Sequence, residues 1–319
     1  MENLIEQSNT LCGEGRYGEA LEILGKALES DPENAQICCA MASAYMEQGD
    51  YAMAKQMLGK AIRISPNEAE YHYLMAVVHT GLDDEEEACA SLEESIRLNP
   101  EHGLSYFSMG SLAQGQGLEA KAIDYYKLAI RFSPGIAKAH EQLGHIYYER
   151  GDSRGAARWL KQAIEIDPDL GAAHLGLAYS LFELQDYKGV VRACLEAIRL
   201  DPANSRAYER LGAAYIKLGE KVAAKDALLQ AVSLDPADAD AYTELGTAYF
   251  NLERFREGLK VLKRANSLRP NFAVTHYLLG MTYFALGDLK EAKKQYRKLM
   301  SLDAKLAEAL KAVLDRLSR

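Results

Sequence analysis

What this chain lacks excludes several classes of protein. It has no apolar run approaching the ~18 residues that a membrane-spanning helix needs. Its first residues lack the basic flank and apolar stretch of a secretory signal. The net charge is −9, so the basic surface that nucleic acids and anionic membranes require is missing. We therefore expect neither a nucleic acid nor a membrane as a partner.

Cysteine is also scarce, and its placement is irregular. The chain has five cysteines, an odd number, at spacings that form no regular framework. A small secreted domain held together by disulfides would instead carry an even number of cysteines in a recognisable pattern. We predict a reducing, cytoplasmic location.

The residue patterns that carry chemistry are absent or out of context. Residues 13–18 spell G-x-G-x-x-G, but this run joins two predicted helices, whereas a dinucleotide site follows a strand. His140 and His145 are five residues apart, one more than a zinc-binding pair on a helix requires. No paired carboxylates and no nucleophile beside a base can be singled out. We therefore expect a protein that is not an enzyme and has no cofactor and no metal.

Proline is rare, and its positions are strictly periodic. All eight prolines lie 34 residues apart, at Pro32, Pro66, Pro100, Pro134, Pro168, Pro202, Pro236 and Pro270. A fixed period of this size is typical of a stacked array, in which each copy contacts only its neighbours. We predict one elongated domain, residues 1–306, of nine repeats that start at residues 1, 35, 69, 103, 137, 171, 205, 239 and 273. Residues 307–319 are predicted to form a C-terminal capping helix.

Each repeat has two stretches of helical periodicity with a break near position 15. Glycine stands at that break in six repeats, and glycine readily adopts the positive φ that ends a helix. The proline at position 32 ends the second helix, because it lacks an N–H group and disfavours helix at the preceding residue. Since β-strand patterns are absent, each repeat is predicted to be an antiparallel helix pair.

Small and large residues recur at fixed positions of the repeat. Repeat 7 carries the full pattern at positions 4, 7, 8, 11, 20, 24, 27 and 32, with Tyr208, Leu211, Gly212, Tyr215, Ala224, Leu228, Ala231 and Pro236. This pattern resembles the tetratricopeptide repeat (TPR) family over residues 1–306, and the last repeat departs from it with Ala304 in place of proline. The resemblance implies an all-α, right-handed superhelical α–α solenoid whose first helices line a concave groove.

One side of the first helix is unexpectedly apolar. Positions 4, 7, 8 and 11 form the packing stripe, and positions 2, 5, 9, 12 and 13 lie on the opposite side at 100° per residue. That side of a surface helix is normally polar. Here we predict a peptide-binding groove lined by Tyr73, Val77, Phe107, Tyr148, Leu175, Tyr179, Phe182, Ile216, Phe250, Tyr277, Met281, Phe284, Glu141 and Glu209.

A simpler interpretation is that neighbouring helices partly bury position 12, which alone would explain the aromatic residues there. It accounts less well for the aromatic residues at positions 5 and 9, which are Tyr73, Phe107, Tyr179 and Tyr277. Contiguous exposed apolar surface usually marks a binding site. The pattern therefore favours a groove that binds an extended or helical segment of another protein through aromatic anchors.

The charges along the groove predict the kind of partner. Eight acidic and three basic residues occupy the groove positions, so a neutral or basic protein or peptide is expected. Some members of the family bind acidic C-terminal tails through Lys at position 5 and Asn or Arg at position 9. Only Asn9 matches that pattern here, so the resemblance does not extend to that role.

Three functions remain open from the sequence. The first is an interaction scaffold or adaptor that holds a partner segment in the groove. The second is a self-assembling structural array, in which one molecule's end enters the groove of another copy. The third is a regulatory TPR region of a larger enzyme, such as a glycosyltransferase with similar repeats, and the predicted capping helix argues against it.

Overall fold

The computed structural model describes residues 2–315, and all regular structure in that range is helical, with no β-strand. Successive helices alternate as the first and second helix of each repeat, so the predicted all-α array of helix pairs is confirmed. The first helices are α1 (Glu2–Gly13), α3 (Ala35–Gln48), α5 (Ala69–Gly81), α7 (Gly103–Gly115), α9 (Ala137–Glu149), α11 (Gly171–Glu183), α13 (Ser205–Leu218), α15 (Ala239–Asn251) and α17 (Ala273–Ala285). The second helices are α2 (Tyr17–Ser30), α4 (Tyr51–Ile64), α6 (Glu85–Leu98), α8 (Glu119–Phe132), α10 (Ser153–Ile166), α12 (Tyr187–Leu200), α14 (Lys221–Leu234), α16 (Phe255–Leu268) and α18 (Leu289–Leu299), and α19 (Ala304–Leu314) follows.

The turn inside each repeat has the same backbone geometry throughout. The six glycines at position 15 have φ between 72° and 83°, in the left-handed region. Asp83, Gln185 and Glu253 occupy position 15 of the other three repeats, and their φ values are 59–61°. The left-handed residue is therefore a requirement of the hairpin, and these three residues adopt it although it is unfavourable for a residue with a Cβ atom.

The turn between repeats is held by a side chain as well as by proline. Four repeats have a histidine at position 4, and its Nε2 donates a hydrogen bond of 2.8–3.2 Å to the carbonyl of the preceding proline. The pairs are His72–Pro66, His140–Pro134, His174–Pro168 and His276–Pro270. These histidines lie in the first turn of the first helix of their repeats. They also fix the start of one repeat to the end of the one before.

Small residues at position 8 allow the two helices of a repeat to approach closely. A Cβ atom on Gly110 would lie 2.6 Å from the ring of Tyr126, which is fully buried. Gly212 and Gly246 meet the buried side chains of Leu228 and Leu262 in the same way. The glycines are therefore needed for packing, which offsets their cost of ~1 kcal/mol in a helix.

The last helix begins at Ala304, three residues before the predicted boundary at 307. Ala304 stands where the other repeats have proline, and the side chain of Asp303 caps the helix by accepting hydrogen bonds from the backbone N–H groups of Lys305 and Leu306. Leu310 and Leu314 are buried, and Leu310 packs against Gly280. Arg316 and Leu317 of the predicted capping helix lie outside the described residues.

The contacts divide the chain into two compact bodies, one ending at Ile146 and the other beginning at Tyr147. We refer to them as the N-terminal and the C-terminal body. Within residues 2–315, no helix combines the length and apolar character needed to cross a bilayer.

Candidate functional site

In the C-terminal body, the helices α11, α13, α15 and α17 pack side by side. Side chains at positions 2, 5, 6, 9, 12 and 13 of these first helices therefore share one surface, which we call the first-helix face. Ten of the predicted groove residues belong to this body, and all are partly buried: Tyr148, Leu175, Tyr179, Phe182, Glu209, Ile216, Phe250, Tyr277, Met281 and Phe284. The face is thus neither fully covered nor fully open.

The other four predicted groove residues are in the N-terminal body. Tyr73, Val77 and Phe107 are partly buried. The ring of Tyr73 lies 5.2 Å from that of His102, and the ring of Phe107 lies 5.7 Å from that of Tyr126. The rings of Tyr73 and Phe107 are therefore partly covered by other aromatic rings of the same body.

Glu141 departs from the prediction. Its residue surface is only 7% exposed, and Nε2 of His145, one turn along α9, donates a hydrogen bond of 3.3 Å to its carboxylate. Packing around α9 therefore covers position 5 in this repeat. Glu141 is a buried and partnered carboxylate, and it does not contribute an open acidic surface.

Tyr179 and Phe182 of the first-helix face are each contacted by other side chains of the chain. The ring of Tyr148 lies 6.1 Å from that of Tyr179, and Tyr187 contacts Phe182 edge-on at 5.5 Å. The guanidinium carbon of Arg210 lies 4.3 Å from the ring centroid of Tyr179 and 4.8 Å from that of Phe182. These two aromatic residues are therefore covered by a cation of the chain itself.

A cavity of about 540 Å³ adjoins this cluster. The cavity is lined by Tyr179, by Leu268, by the helix α13 and by the loops that precede α15 and follow α16. Its charged residues are Arg206, Glu209, Arg210, Asp235, Asp238, Asp240 and Arg269. Several of these charges already have partners. Arg269 donates two hydrogen bonds to Asp240 at 2.9 and 2.7 Å, and Asp238 caps α15. Glu209 and Arg210 form an ion pair at 3.8 Å, and Arg206 is exposed in the cavity wall.

Two carboxylates of this face are strongly desolvated. Burial raises the pKa of Glu209 to about 7, although the nearby positive charge of Arg210 acts against this shift. Burial also raises the pKa of Glu244, on the adjacent helix α15. Desolvation disfavours the charged form of a carboxyl group. Each carboxylate would therefore gain from a cation placed beside it.

Arg210 and Glu244, which both occupy position 6, were not among the residues predicted to line the groove. A residue at position 6 lies one turn from positions 2 and 9, so it belongs to the same side of the helix. Counting 100° per residue from position 2 places it 40° away, and that count was sufficient to find it. The count of three basic residues along the groove therefore omitted Arg210, which covers Tyr179 and Phe182.

Models of tetratricopeptide repeat families match most of the chain. Residues 104–315 match the model of the C-terminal TPR domain of cilia and flagella-associated protein 70. Residues 11–78 and 69–102 match models of the tetratricopeptide repeat. No curated protein matches the chain.

Several solved structures share the fold. A chain of the APC/C hetero-tetramer Cut9–Hcn1 has a TM-score of 0.56 and 21% identity, and the match covers 88% of this chain and 55% of that one. YrrB, described as a TPR protein with an unusual peptide-binding site, has a TM-score of 0.51 and 22% identity over 59% of this chain and 97% of that one. PilF of Pseudomonas aeruginosa has a TM-score of 0.57 and 18% identity over 67% and 98%. The chain spans about half the length of the Cut9–Hcn1 relative, and at these identities the likeness concerns the fold alone.

Proposed function

Because this chain belongs to the tetratricopeptide repeat family, we propose that it is a protein-interaction scaffold that binds an extended or helical segment of another protein on its first-helix face. The observation that carries the proposal is the row of large, partly buried apolar side chains on this face, where a surface helix would ordinarily be polar. Such rows of aromatic residues supply the anchors of many protein interfaces. The peptide-binding site described for YrrB, which shares the fold, supports the same use here.

The charges of the face favour a neutral or basic segment. Glu209 and Glu244 are desolvated carboxylates on neighbouring first helices, and Glu183 is exposed at the end of α11. A cationic side chain on the partner would restore the charged form of the buried pair, whereas an acidic one would be repelled. Complementary charge also accelerates association at low salt.

The test uses substitutions at two anchors that do not contact Arg210. Phe250→Ala and Tyr277→Ala should weaken the affinity for a purified partner by about 30-fold in combination, as expected for central aromatic anchors. The dissociation constant can be measured by isothermal titration calorimetry after the partner has been identified by affinity capture. Circular dichroism would establish that the variant remains folded.

A matched control removes apolar surface from the opposite side. Val222, on the second helix α14, is 59% exposed, and Val222→Ala should leave the affinity unchanged. Equal affinities for the wild type and the double variant would contradict the proposal. Light scattering over a range of concentrations tests the self-assembling array, because an array would grow with concentration and a scaffold for another protein would not.

A further inference from the structure

One guanidinium group of the chain itself already lies on the aromatic rings of the first-helix face. Arg210 extends from α13 and places its guanidinium over Tyr179 and Phe182 of α11, at 4.3 and 4.8 Å from the two ring centroids. Both distances are within the ~6 Å range of a cation–π interaction. The side chain of Arg210 is only 20% exposed, so this contact is largely removed from water. The pair of rings is therefore shaped to receive a guanidinium group.

Arg210 is held in this place by a hydrogen bond with the Tyr179 side chain and by the negative charge of Glu209, but one of its own donors is left unsatisfied. Its Nε is buried and has no hydrogen-bond partner, and its Nη2 lies 3.8 Å from the carboxylate of Glu209, beyond hydrogen-bonding distance. Arg269, by contrast, makes two hydrogen bonds to Asp240 in the same cavity wall. A buried guanidinium with an unsatisfied donor is costly to maintain. An incoming group could therefore displace it.

The cavity next to Arg210 gives the displaced side chain a place to go. It has a volume of about 540 Å³, and Asp235 and Asp238 lie in its wall. Two cations on the same pair of rings would repel each other, so an incoming cation must exchange with Arg210. Within the scaffold function proposed above, we infer that Tyr179 and Phe182 receive an arginine side chain of the bound segment, and that Arg210 fills their site until that segment arrives.

The surrounding groups favour arginine over other side chains. A planar guanidinium can stack on two rings and is more weakly hydrated than an ammonium group, so arginine should bind better than lysine. A purely apolar side chain would add no positive charge beside the desolvated carboxylates Glu209 and Glu244, whose nearby cations in the chain are Arg210 and Lys217. The inference therefore specifies a basic segment that contains at least one arginine.

The experiment removes the competing side chain and varies the charge of the probe. The probe is a fluorescein-labelled nine-residue peptide with arginine at every third position and serine elsewhere, and its partner probe has citrulline in place of each arginine. Fluorescence anisotropy should show that Arg210→Ala binds the arginine peptide about tenfold more tightly than the wild type, because a desolvated cation–π contact no longer has to be broken. The citrulline peptide should bind both proteins more weakly than the arginine peptide binds Arg210→Ala.

A second substitution controls for the change in net charge. Arg158 lies over Trp159 on the second helix α10, with 5.3 Å from the guanidinium carbon to the ring centroid. Arg158→Ala removes the same charge away from the first-helix face, so it should leave the affinity for the arginine peptide unchanged. If Arg210→Ala does not fold, Arg210→Gln keeps a polar side chain of intermediate length and provides the same comparison.

The inference is overturned if Arg210→Ala binds the arginine peptide no better than the wild type or Arg158→Ala does, or if the citrulline peptide binds it equally well. Weaker binding by Arg210→Ala would also overturn the inference, because it would mean that Arg210 supports the bound peptide and does not compete with it. These results are separate from the test of the scaffold function. A partner that depends on Phe250 and Tyr277 would leave that function intact even if the arginine peptide showed no preference.

Discussion

At the scale of single residues, three of the hairpins have a residue with a side chain at the left-handed position where the other six have glycine. Glycine adopts a positive φ without steric cost, whereas a residue with a Cβ atom loses roughly 1–2 kcal/mol there. Glu253 has a φ of 59°, and it is exposed, so its side chain has no packing role that would compensate. Strain is therefore localised at three known positions of an otherwise uniform series of turns.

Glu253→Gly should raise the free energy of unfolding by about 0.5–1 kcal/mol, because relief of the strained φ exceeds the added entropy of the unfolded chain. The reverse change, Gly219→Ala, places a Cβ atom at a φ of 79° and should lower stability by about 1–2 kcal/mol. Urea denaturation followed by circular dichroism measures both. A loss of stability in Glu253→Gly would show that the glutamate makes a favourable interaction that the turn geometry does not reveal.

Glu209 makes stability depend on pH in an unusual direction. Burial raises the pKa of Glu209 from 4.5 to about 7, so the folded protein binds a proton more tightly than the unfolded chain. The stability that Glu209 contributes by binding this proton in the folded state is fully present below pH 4.5 and is lost as the pH rises towards 7. Glu209→Gln should remove this dependence and stabilise the protein by about 2–3 kcal/mol at pH 8.

Thermal unfolding of Glu209→Gln and the wild type at pH 5 and pH 8 measures the effect. Glu183→Gln removes an exposed carboxylate of the same face and serves as the matched control. A smaller change in melting temperature is expected for this variant at both pH values. An identical loss of stability between pH 5 and pH 8 in wild type and Glu209→Gln would contradict the assigned role of Glu209.

At the scale of helices, packing depends on whether a glycine faces a neighbouring helix. Gly246 in α15 meets the fully buried Leu262 of α16, whereas Gly59 in α4 has no atom within 4 Å of the place that a Cβ would occupy. The two glycines have the same intrinsic cost in a helix. Their environments therefore predict opposite effects for one and the same substitution.

Gly246→Leu should destabilise the protein by about 1–3 kcal/mol, because the new side chain overpacks the contact with Leu262. Gly59→Leu should instead stabilise by up to about 0.8 kcal/mol, since leucine favours the helix and meets open space. Melting temperatures of the two variants give the comparison directly. Equal melting temperatures would mean that the close approach of α15 and α16 is not required.

The period of the prolines and the glycines at position 15 was sufficient to predict the helix pairs and the positions of their turns. The left-handed φ values at Gln185 and Glu253 were not predictable from their residue types, because the hairpin imposes that geometry against the local preference. The burial of Glu141 and the cover of Tyr179 by Arg210 depend on packing between neighbouring helices. Such contacts follow from the relative placement of side chains, which a repeat pattern in one dimension does not contain.

At the scale of the whole molecule, the stability of an array should be distributed among its repeats. Helices within each body make their substantial contacts with the next helix or the next but one. Stability is then a sum of repeat and interface contributions, and a local change spreads only to adjacent copies.

Gly246→Leu should therefore accelerate amide hydrogen exchange within residues 205–306 and leave residues 2–102 unchanged, because exchange reports local opening. Hydrogen–deuterium exchange with mass spectrometry resolves these segments. Uniform acceleration along the whole chain would indicate a single cooperative unit, and the Gly59→Leu variant supplies the comparison for a substitution that does not disturb packing.

The turn that joins one repeat to the next also bears on how such a gene can change. In eight of these turns, the proline lies at the same position relative to the end of the preceding helix and to the start of the following helix. A duplication or deletion of one whole period in the coding DNA joins equivalent turns and leaves every helix intact. An insertion of any other length moves the downstream residues out of register within the interrupted hairpin and can carry a proline into a helix, at a cost of ~3 kcal/mol or more. Inheritance can therefore lengthen or shorten this protein in whole copies of one helix pair.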